Sequence, residues 1–121
     1  MLDKVNRLTK RKEFNYLYRF GNAVHTPHLT CVYLQTKYRP LKIGFTVANK
    51  IGKAHIRNLV KRRLRACVRE IVPTLPNNYN VVLIAKVGIE NITFDELKKE
   101  VYLVFKKANL QWFLWKYFFT Q

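Results

Sequence analysis

The chain has 121 residues, and 23 Lys and Arg against 7 Asp and Glu give it a formal net charge of +16. Because 49% of the residues are hydrophobic and 14% are aromatic, a chain of this length can bury one core, so we exclude intrinsic disorder and expect a single domain. The excess of positive charge implies a polyanionic partner, either a nucleic acid or an anionic membrane surface.

The side chains that hydrolytic enzymes need are scarce. The absence of serine excludes Ser-His-Asp chemistry, and the main acidic cluster is Asp95, Glu96 and Glu100. We interpret these acids as N-terminal helix residues that suit the helix dipole, rather than as ligands of catalytic ions. Cys31 and Cys67 lie far apart without a CxxC motif, so we expect neither a disulfide nor a metal site, and a cytoplasmic location. No apolar run reaches the length of a membrane span, and we expect no catalytic residue in the protein itself.

Hydrophobic spacing predicts the first elements in chain order. Helical spacing covers residues 9–20 and stops at Gly21. A strand is predicted at residues 28–35, because Leu29, Cys31 and Tyr33 alternate with three residues of the other face. A second strand is predicted at residues 43–47.

Residues 54–72 form the clearest predicted helix. On a helical wheel the apolar side chains fall within an arc of about 120°, and most polar and basic ones within a neighbouring arc of about 140°. The apolar arc contains Ile56, Val60, Leu64, Cys67, Val68 and Ile71; the basic arc contains Arg57, Asn58, Lys61, Arg62, Arg65 and Arg69.

The last predicted elements are a strand and a helix. The uninterrupted apolar run 81–85 predicts a central strand covered on both faces. Thr93 with Glu96 three residues later is a capping box that opens a final helix. Its predicted buried stripe is Phe94, Leu97, Val101, Val104, Phe105 and Ala108. A strand, a helix and a strand in succession from residue 43 to residue 85 suggest a parallel pair joined by a crossover.

The basic arc of the middle helix is the strongest candidate for a binding site. Such a row can follow a phosphate backbone, whereas an ordinary solvated face mixes charges and this one has the single acid Glu70. Lys50 and Lys53 flank Gly52 directly before this helix, where backbone N–H groups also attract phosphate, although a plain turn explains that loop equally well.

The N-terminal helix mixes basic and aromatic side chains, a combination that holds single-stranded nucleic acid. With the segment before the helix, the aromatic members are Phe14, Tyr18 and Phe20, and the basic ones are Lys4, Arg7, Lys10, Arg11 and Lys12. Helically spaced aromatic residues are also typical of cores, so packing remains an open alternative for the Phe14 and Tyr18 rings.

The string KIGKAHIRNLVKRRLRACVRE, at residues 50–70, resembles the bacterial ribonuclease P protein family, whose signature is a basic helix after a Lys-Ile-Gly loop. The likeness extends through Asn6-Arg7-Leu8, Phe14 and Gly21 to about residue 110. Residues 1–110 would be the family core, and the aromatic residues 111–121 a C-terminal extension outside its pattern.

The resemblance implies an α/β (α+β) two-layer sandwich with a central four-stranded sheet and a left-handed βαβ crossover through the basic helix. It implies that the protein assists removal of the 5′ leader from precursor tRNA, with one protein per catalytic RNA and Mg²⁺ held on that RNA. The implied contacts to the catalytic RNA are Arg57, Asn58, Lys61, Arg62, Arg65, Arg69, Lys50 and Lys53. The implied leader cleft contains Phe14, Tyr18, Arg11 and Lys12, with Val32 or Tyr33 from the first strand, according to its register.

The sequence departs from the family pattern at named positions. Leu59 stands where the family has a second signature arginine, so that contact is absent or supplied by Arg63. The loop reads Ala48-Asn49-Lys50 where the family usually has Ser-Lys-Lys. Two alternatives remain open: a general RNA-binding or ribosome-associated protein without a processing role, and a membrane-surface protein that uses the aromatic extension.

Overall fold

A computed structural model of the protein describes residues 4–37 and 40–110, so the predicted extension 111–121 lies outside the described residues. The helices and longer strands are α1 (Arg11–Phe20), β1 (Asn22–His25), β2 (Leu29–Gln35), β3 (Lys42–Thr46), α2 (Ala54–Ile71), β4 (Tyr79–Ala85) and α3 (Phe94–Lys107). The strands form one four-stranded sheet in the order β1-β2-β4-β3. The expected mixed α/β architecture and its four-stranded sheet are therefore confirmed.

The connection from β3 through α2 to β4 positions the basic helix. β3 and β4 pair in parallel, with Ile43 opposite Val81 and Phe45 opposite Leu83, which confirms the predicted crossover. β4 lies between β2 and β3, and Val82 and Leu83, which point to opposite faces of the sheet, are both 0% exposed. The left hand of the crossover stays a prediction.

The sheet separates two apolar cores. On one face α1 contributes Leu17 to a cluster with Val32 and Val82. On the other face α2 and α3 share a larger cluster with β2, β3 and β4. Its fully buried members include Leu29, Cys31, Ile43, Leu64, Val68, Val81, Leu83, Val104 and Phe105. Helices therefore cover both faces of the sheet, and the apolar arc of α2 faces inward.

Both cysteines belong to this larger core and are free thiols. Burial raises the pKa of Cys31 to about 12. Burial and, to a lesser degree, the nearby Glu70 carboxylate raise the pKa of Cys67 to about 11. Both thiols are therefore protonated at neutral pH, which suits packing rather than nucleophilic chemistry.

Strand β1 had no counterpart among the elements predicted from hydrophobic spacing. Asn22–His25 pairs antiparallel with β2, so that Ala23 lies opposite Val32 and Val24 opposite Cys31. Asn22, Ala23 and His25 are exposed, and only Val24 is half-buried. A short, mostly exposed edge strand lacks the apolar alternation by which a strand is recognised.

The start of α3 agrees only in part with the prediction. The Thr93 side chain accepts a hydrogen bond from the Glu96 N–H at 3.1 Å, which confirms the predicted N-cap. The prediction that Phe94 is buried was wrong, because its side chain is 38% exposed. Phe94 is the first residue of α3. Periodicity indicates which face of the helix a side chain lies on, but not whether another element covers the first turn of that face.

Glu100 fastens the turn between β1 and β2. Its Oε2 accepts hydrogen bonds from Thr26 Oγ1 at 2.8 Å and from the His28 backbone N–H at 2.7 Å. Its Oε1 lies 2.8 Å from His28 Nδ1. The interpretation of Glu100 as a simple dipole-stabilising acid was therefore wrong, whereas Asp95 and Glu96 do lie in the first turn of α3.

We expect Glu100→Gln to lower the free energy of unfolding by about 1–3 kcal/mol, because an amide replaces a largely buried carboxylate that accepts from several donors. Urea denaturation at neutral pH measures the change. The matched control is Glu96→Gln on the exposed side of the same helix, with an expected change within about 0.5 kcal/mol. Equal effects would mean that the contacts of Glu100 contribute nothing particular to stability.

Gly44 allows α1 to approach β3. A Cβ at this position would lie 2.5 Å from Phe14 Cζ, which is a steric clash, and 3.2 Å from Leu8 Cβ, which is a tight contact. The Phe14 ring is therefore seated directly on the backbone of β3.

We expect Gly44→Ala to cost about 1–3 kcal/mol of stability, the usual range for overpacking. The same substitution in a Phe14→Ala background should cost less, because the ring that blocks the new methyl group is gone. A double-mutant cycle by urea denaturation measures the difference. A coupling energy of zero would contradict the seating of Phe14 on Gly44.

Candidate nucleic-acid interface

The polar arc of α2 faces away from the core. Arg57, Lys61 and Arg65 are half-buried at successive i, i+4 positions, while Asn58, Arg62 and Arg69 are exposed. Half-buried lysine and arginine side chains commonly bury the stem and keep the charged group in the solvent, and we expect this of Lys61 and Arg65. These six residues, which we call the basic row, were predicted from the sequence, and the structure places them on one side of α2.

Acidic side chains do not neutralise the basic row. Glu70 is the only acid of α2, and its Oε2 lies 2.9 Å from Lys98 Nζ on α3. This hydrogen bond with Glu70 is the main cause that raises the pKa of Lys98. Among residues 4–37 and 40–110, no ion pair involves a member of the basic row. Like charges therefore face one another along α2 at a small cost that an anionic partner would remove.

The loop before α2 adds two cations to one end of the basic row. Lys50 and Lys53 are exposed, while Ile51 between them is buried and anchors the turn. Gly52 ends the turn with a φ of 156°, which favours glycine. The cations thus stand beside the first turn of α2, where unpaired backbone N–H groups and the helix dipole favour phosphate.

Asn49 connects this loop to the basic row. Arg57 Nη1 donates a hydrogen bond of 2.6 Å to Asn49 Oδ1. The Nε of Arg57 is buried and has no hydrogen-bond partner among the described residues. The asparagine that replaces a lysine of the family pattern therefore holds one arginine of the row in place.

Phe14 and Tyr18 lie on the side of α1 that faces β3. Phe14 is half-buried over Gly44, and the Tyr18 side chain is 44% exposed. Their ring centroids are 6.3 Å apart, and the Tyr18 hydroxyl lies 2.5 Å from Thr46 Oγ1. Arg11 and Lys12 are exposed in the first turn of α1. At 100° per residue Lys12 points about 160° away from Phe14, so the structure does not bring it to the predicted leader cleft. Both rings are thus partly packed and partly accessible, which joins the two alternatives that the sequence left open.

The register of β2 separates the two candidate residues of that strand. Val32 is 7% exposed and packs on the α1 face of the sheet, beneath Leu17. Tyr33 lies on the opposite face, packed against the larger core, with its ring centroid 6.5 Å from that of Tyr79. The placement of Tyr33 in a cleft beside α1 was therefore wrong, and Val32 forms the floor beneath α1.

A cleft at the edge of the sheet joins the two predicted groups of residues. Its volume is about 120 Å³, and it is lined by Arg7, Leu8, Thr9, Phe14, Ile43, Gly44, Phe45, Lys61 and Arg65. Sequence reasoning included Arg7 among the basic residues of the N-terminal segment but gave no site role to Thr9. Both residues are neighbours of Leu8, whose N–H donates a hydrogen bond to the Ile43 carbonyl at 3.0 Å. This hydrogen bond ties the segment to β3 and so brings both residues to the cleft. Leu59, which stands where the family pattern has an arginine, is 36% exposed on α2. This position therefore presents an apolar side chain and no positive charge.

In residues 4–37 and 40–110, no group of three or more His, Cys, Asp or Glu side chains is arranged to hold a metal ion. Within the same ranges, no helix has the length and apolar character needed to cross a membrane.

Comparison with known proteins agrees with the geometry. The family model described as Ribonuclease P matches residues 2–109. The ribonuclease P protein component of Syntrophomonas wolfei is 34% identical over 110 residues, covering 91% of this chain and 92% of the relative. That of Symbiobacterium thermophilum is also 34% identical, over 90% and 96% of the two chains. The Staphylococcus aureus RNase P protein has the same fold, with a TM-score of 0.83, 22% identity, and coverage of 89% of this chain and 99% of that one. This chain therefore belongs to the ribonuclease P protein family.

Proposed function

We propose that this chain is the RNA-binding protein subunit of ribonuclease P, the endoribonuclease that removes the 5′ leader from precursor tRNA. α2 and the loop before it contact the catalytic RNA, and the groove between α1 and β3 holds the single-stranded leader. The observation that carries the proposal is that Phe14 of α1 and Lys61 and Arg65 of the basic row line one cleft at the edge of the sheet. Family membership favours this function over that of a general or ribosome-associated RNA-binding protein.

The protein's contribution to the reaction is electrostatic. Mg²⁺ ions held by the partner RNA supply the hydrolytic chemistry, and the basic row neutralises phosphates that would otherwise repel the substrate. Three carboxylates suit that division of labour, since Glu13, Glu70 and Glu100 each lie against a Lys or His side chain. We place one protein on each RNA, in the cytoplasm.

Arg57 supports the assignment of the basic row to phosphate. Its guanidinium reaches Asn49 through Nη1, while its Nε is buried without a partner in the described part of the chain. A buried N–H without a partner costs about 1–3 kcal/mol. A phosphate that replaced Asn49 as the acceptor would satisfy this N–H and exchange a neutral partner for a charge-assisted hydrogen bond.

The leader groove rests on Phe14, on Tyr18 and on the cations Lys61 and Arg65. Phe14 lines the cleft together with Lys61 and Arg65, so one nucleotide could stack on a ring while its phosphate meets the basic row. Stacking tolerates any base, which suits leaders of varied sequence. Val32 gives the groove a rigid floor rather than a contact.

We expect Arg57→Ala and Arg65→Ala each to weaken binding of the catalytic RNA, because each removes one phosphate contact. The slope of log K against log salt should become shallower by about one unit for each lost contact. Filter binding at several salt concentrations measures it. The control is Lys99→Ala, which removes an exposed cation on α3. A slope unchanged in the arginine variants, or changed equally by Lys99→Ala, would refute the docking role of α2.

We expect Phe14→Ala to weaken binding of precursor tRNA to the RNA–protein complex by about 1–3 kcal/mol, with little effect on mature tRNA. Lengthening the leader from one nucleotide to several should strengthen binding by the unaltered protein, and this gain should shrink in the variant. Tyr33→Leu removes an aromatic ring from the opposite face and serves as the control, with unfolding curves to verify folding. Equal losses for precursor and mature tRNA would assign Phe14 to the core alone.

A further inference from the structure

A second pair of aromatic rings lies on the flank of α1 opposite to Phe14 and Tyr18, beside residues of β2. Tyr16 and Phe20 are 57% and 54% exposed, with ring centroids 4.8 Å apart. At 100° per residue they point about 160° away from Phe14 and Tyr18. Neither ring belongs to a core, so packing within the described residues does not account for them.

Cations accompany these outer rings. The Arg19 guanidinium carbon lies 5.3 Å from the centroid of the Phe20 ring, within the range of a cation–π contact. Lys12 is exposed one turn before Tyr16. Glu13 is the nearest acid along the helix, and its Oε2 lies 3.6 Å from Lys42 Nζ, so its charge is balanced.

A groove adjoins Tyr16 on the side of the sheet. Its volume is about 410 Å³, and its lining combines apolar side chains with amide, hydroxyl and ammonium groups and with the Glu13 carboxylate, which is paired with Lys42. The lining residues are Glu13, Tyr16, Leu17, Leu34, Gln35, Thr36, Lys37 and Asn80. Amides beside an aromatic ring offer donors and acceptors to the edge of a stacked base.

We propose that this outer face, formed by Lys12, Tyr16, Arg19 and Phe20 with the adjoining groove, is a second binding site for single-stranded RNA, separate from the leader groove. The rings stack on bases, the cations meet phosphates, and the groove receives the base edge. Charge complementarity selects this occupant, because a second copy of the chain would bring another +16 against these cations. The inference extends the proposed RNA binding to a face of α1 that the leader groove does not use.

The test measures binding of fluorescein-labelled oligouridylate, about 12 nucleotides long, by anisotropy at several salt concentrations. All proteins carry Phe14→Ala so that the leader groove contributes less. Tyr16→Leu with Phe20→Leu keeps apolar surface but removes both rings, and Tyr16→Phe with Phe20→Tyr keeps both rings. Leu103→Ala, at an exposed apolar position of α3, is the matched control.

We expect the leucine pair to weaken binding by at least about fivefold for each ring, with the salt slope unchanged because no charge is lost. The ring-keeping pair and Leu103→Ala should bind as the Phe14→Ala parent does. Unfolding curves should be unchanged, because the altered side chains are exposed.

Equal oligouridylate binding by the leucine pair and the parent would overturn the proposal. It would also fall if the leucine pair changed self-association in sedimentation instead of RNA binding, since the face would then be a contact between copies. Either failure leaves the proposed function testable by itself, because that rests on the salt slopes of Arg57→Ala and Arg65→Ala and on the response of Phe14→Ala to leader length.

Discussion

The parallel pairing of β3 with β4 is the constraint on which the interface depends. Two parallel neighbours require a crossover, and here α2 supplies it, with its apolar arc against the sheet and its basic row outward. Because β3 is one of the two edge strands, α1 on one face and α2 on the other both reach the same edge. The cleft that Phe14 shares with Lys61 and Arg65 exists only because a strand at the edge has helices on both sides. An antiparallel hairpin in place of this crossover would leave no basic helix beside the rings.

The acids of the protein are placed so that repulsion among the cations of the basic row persists until an anion binds. Glu70, the one acid of α2, forms an ion pair with Lys98 on α3. Glu13 contacts Lys42, and Glu100 contacts His28. Successive i, i+4 cations repel one another by a few tenths of a kcal/mol per pair, which a core of this size tolerates. Each phosphate that docks relieves this repulsion and releases counterions, so affinity and salt dependence arise from the same side chains.

Strong periodicity made most of the fold predictable, and the failures occurred where periodicity carries little information. α2 follows a helical wheel closely, and the apolar run of β4 identified the central strand. β1 was missed because its side chains are mostly exposed. In β2 both faces carry apolar residues, so alternation could not decide between Val32 and Tyr33; that choice follows from packing against α1. The role of Glu100 depends on a turn more than 70 residues away in the chain, a separation that no local pattern reveals.

α1 shows how one short helix can serve packing and recognition together. Leu17 is its only buried residue, so the helix is held to the sheet by that side chain, by the fit of Phe14 on Gly44 and by the contact of Tyr18 with Thr46. The rings of the leader groove therefore also hold the helix that presents them, and a nucleotide stacking on them meets a surface already fixed by the sheet. Preorganisation of this kind lowers the entropy lost on binding. The exposed rings of Tyr16 and Phe20 contribute to neither core, so they do not hold α1 to the sheet. On this flank of α1, side chains available for recognition are therefore distinct from those that pack the helix.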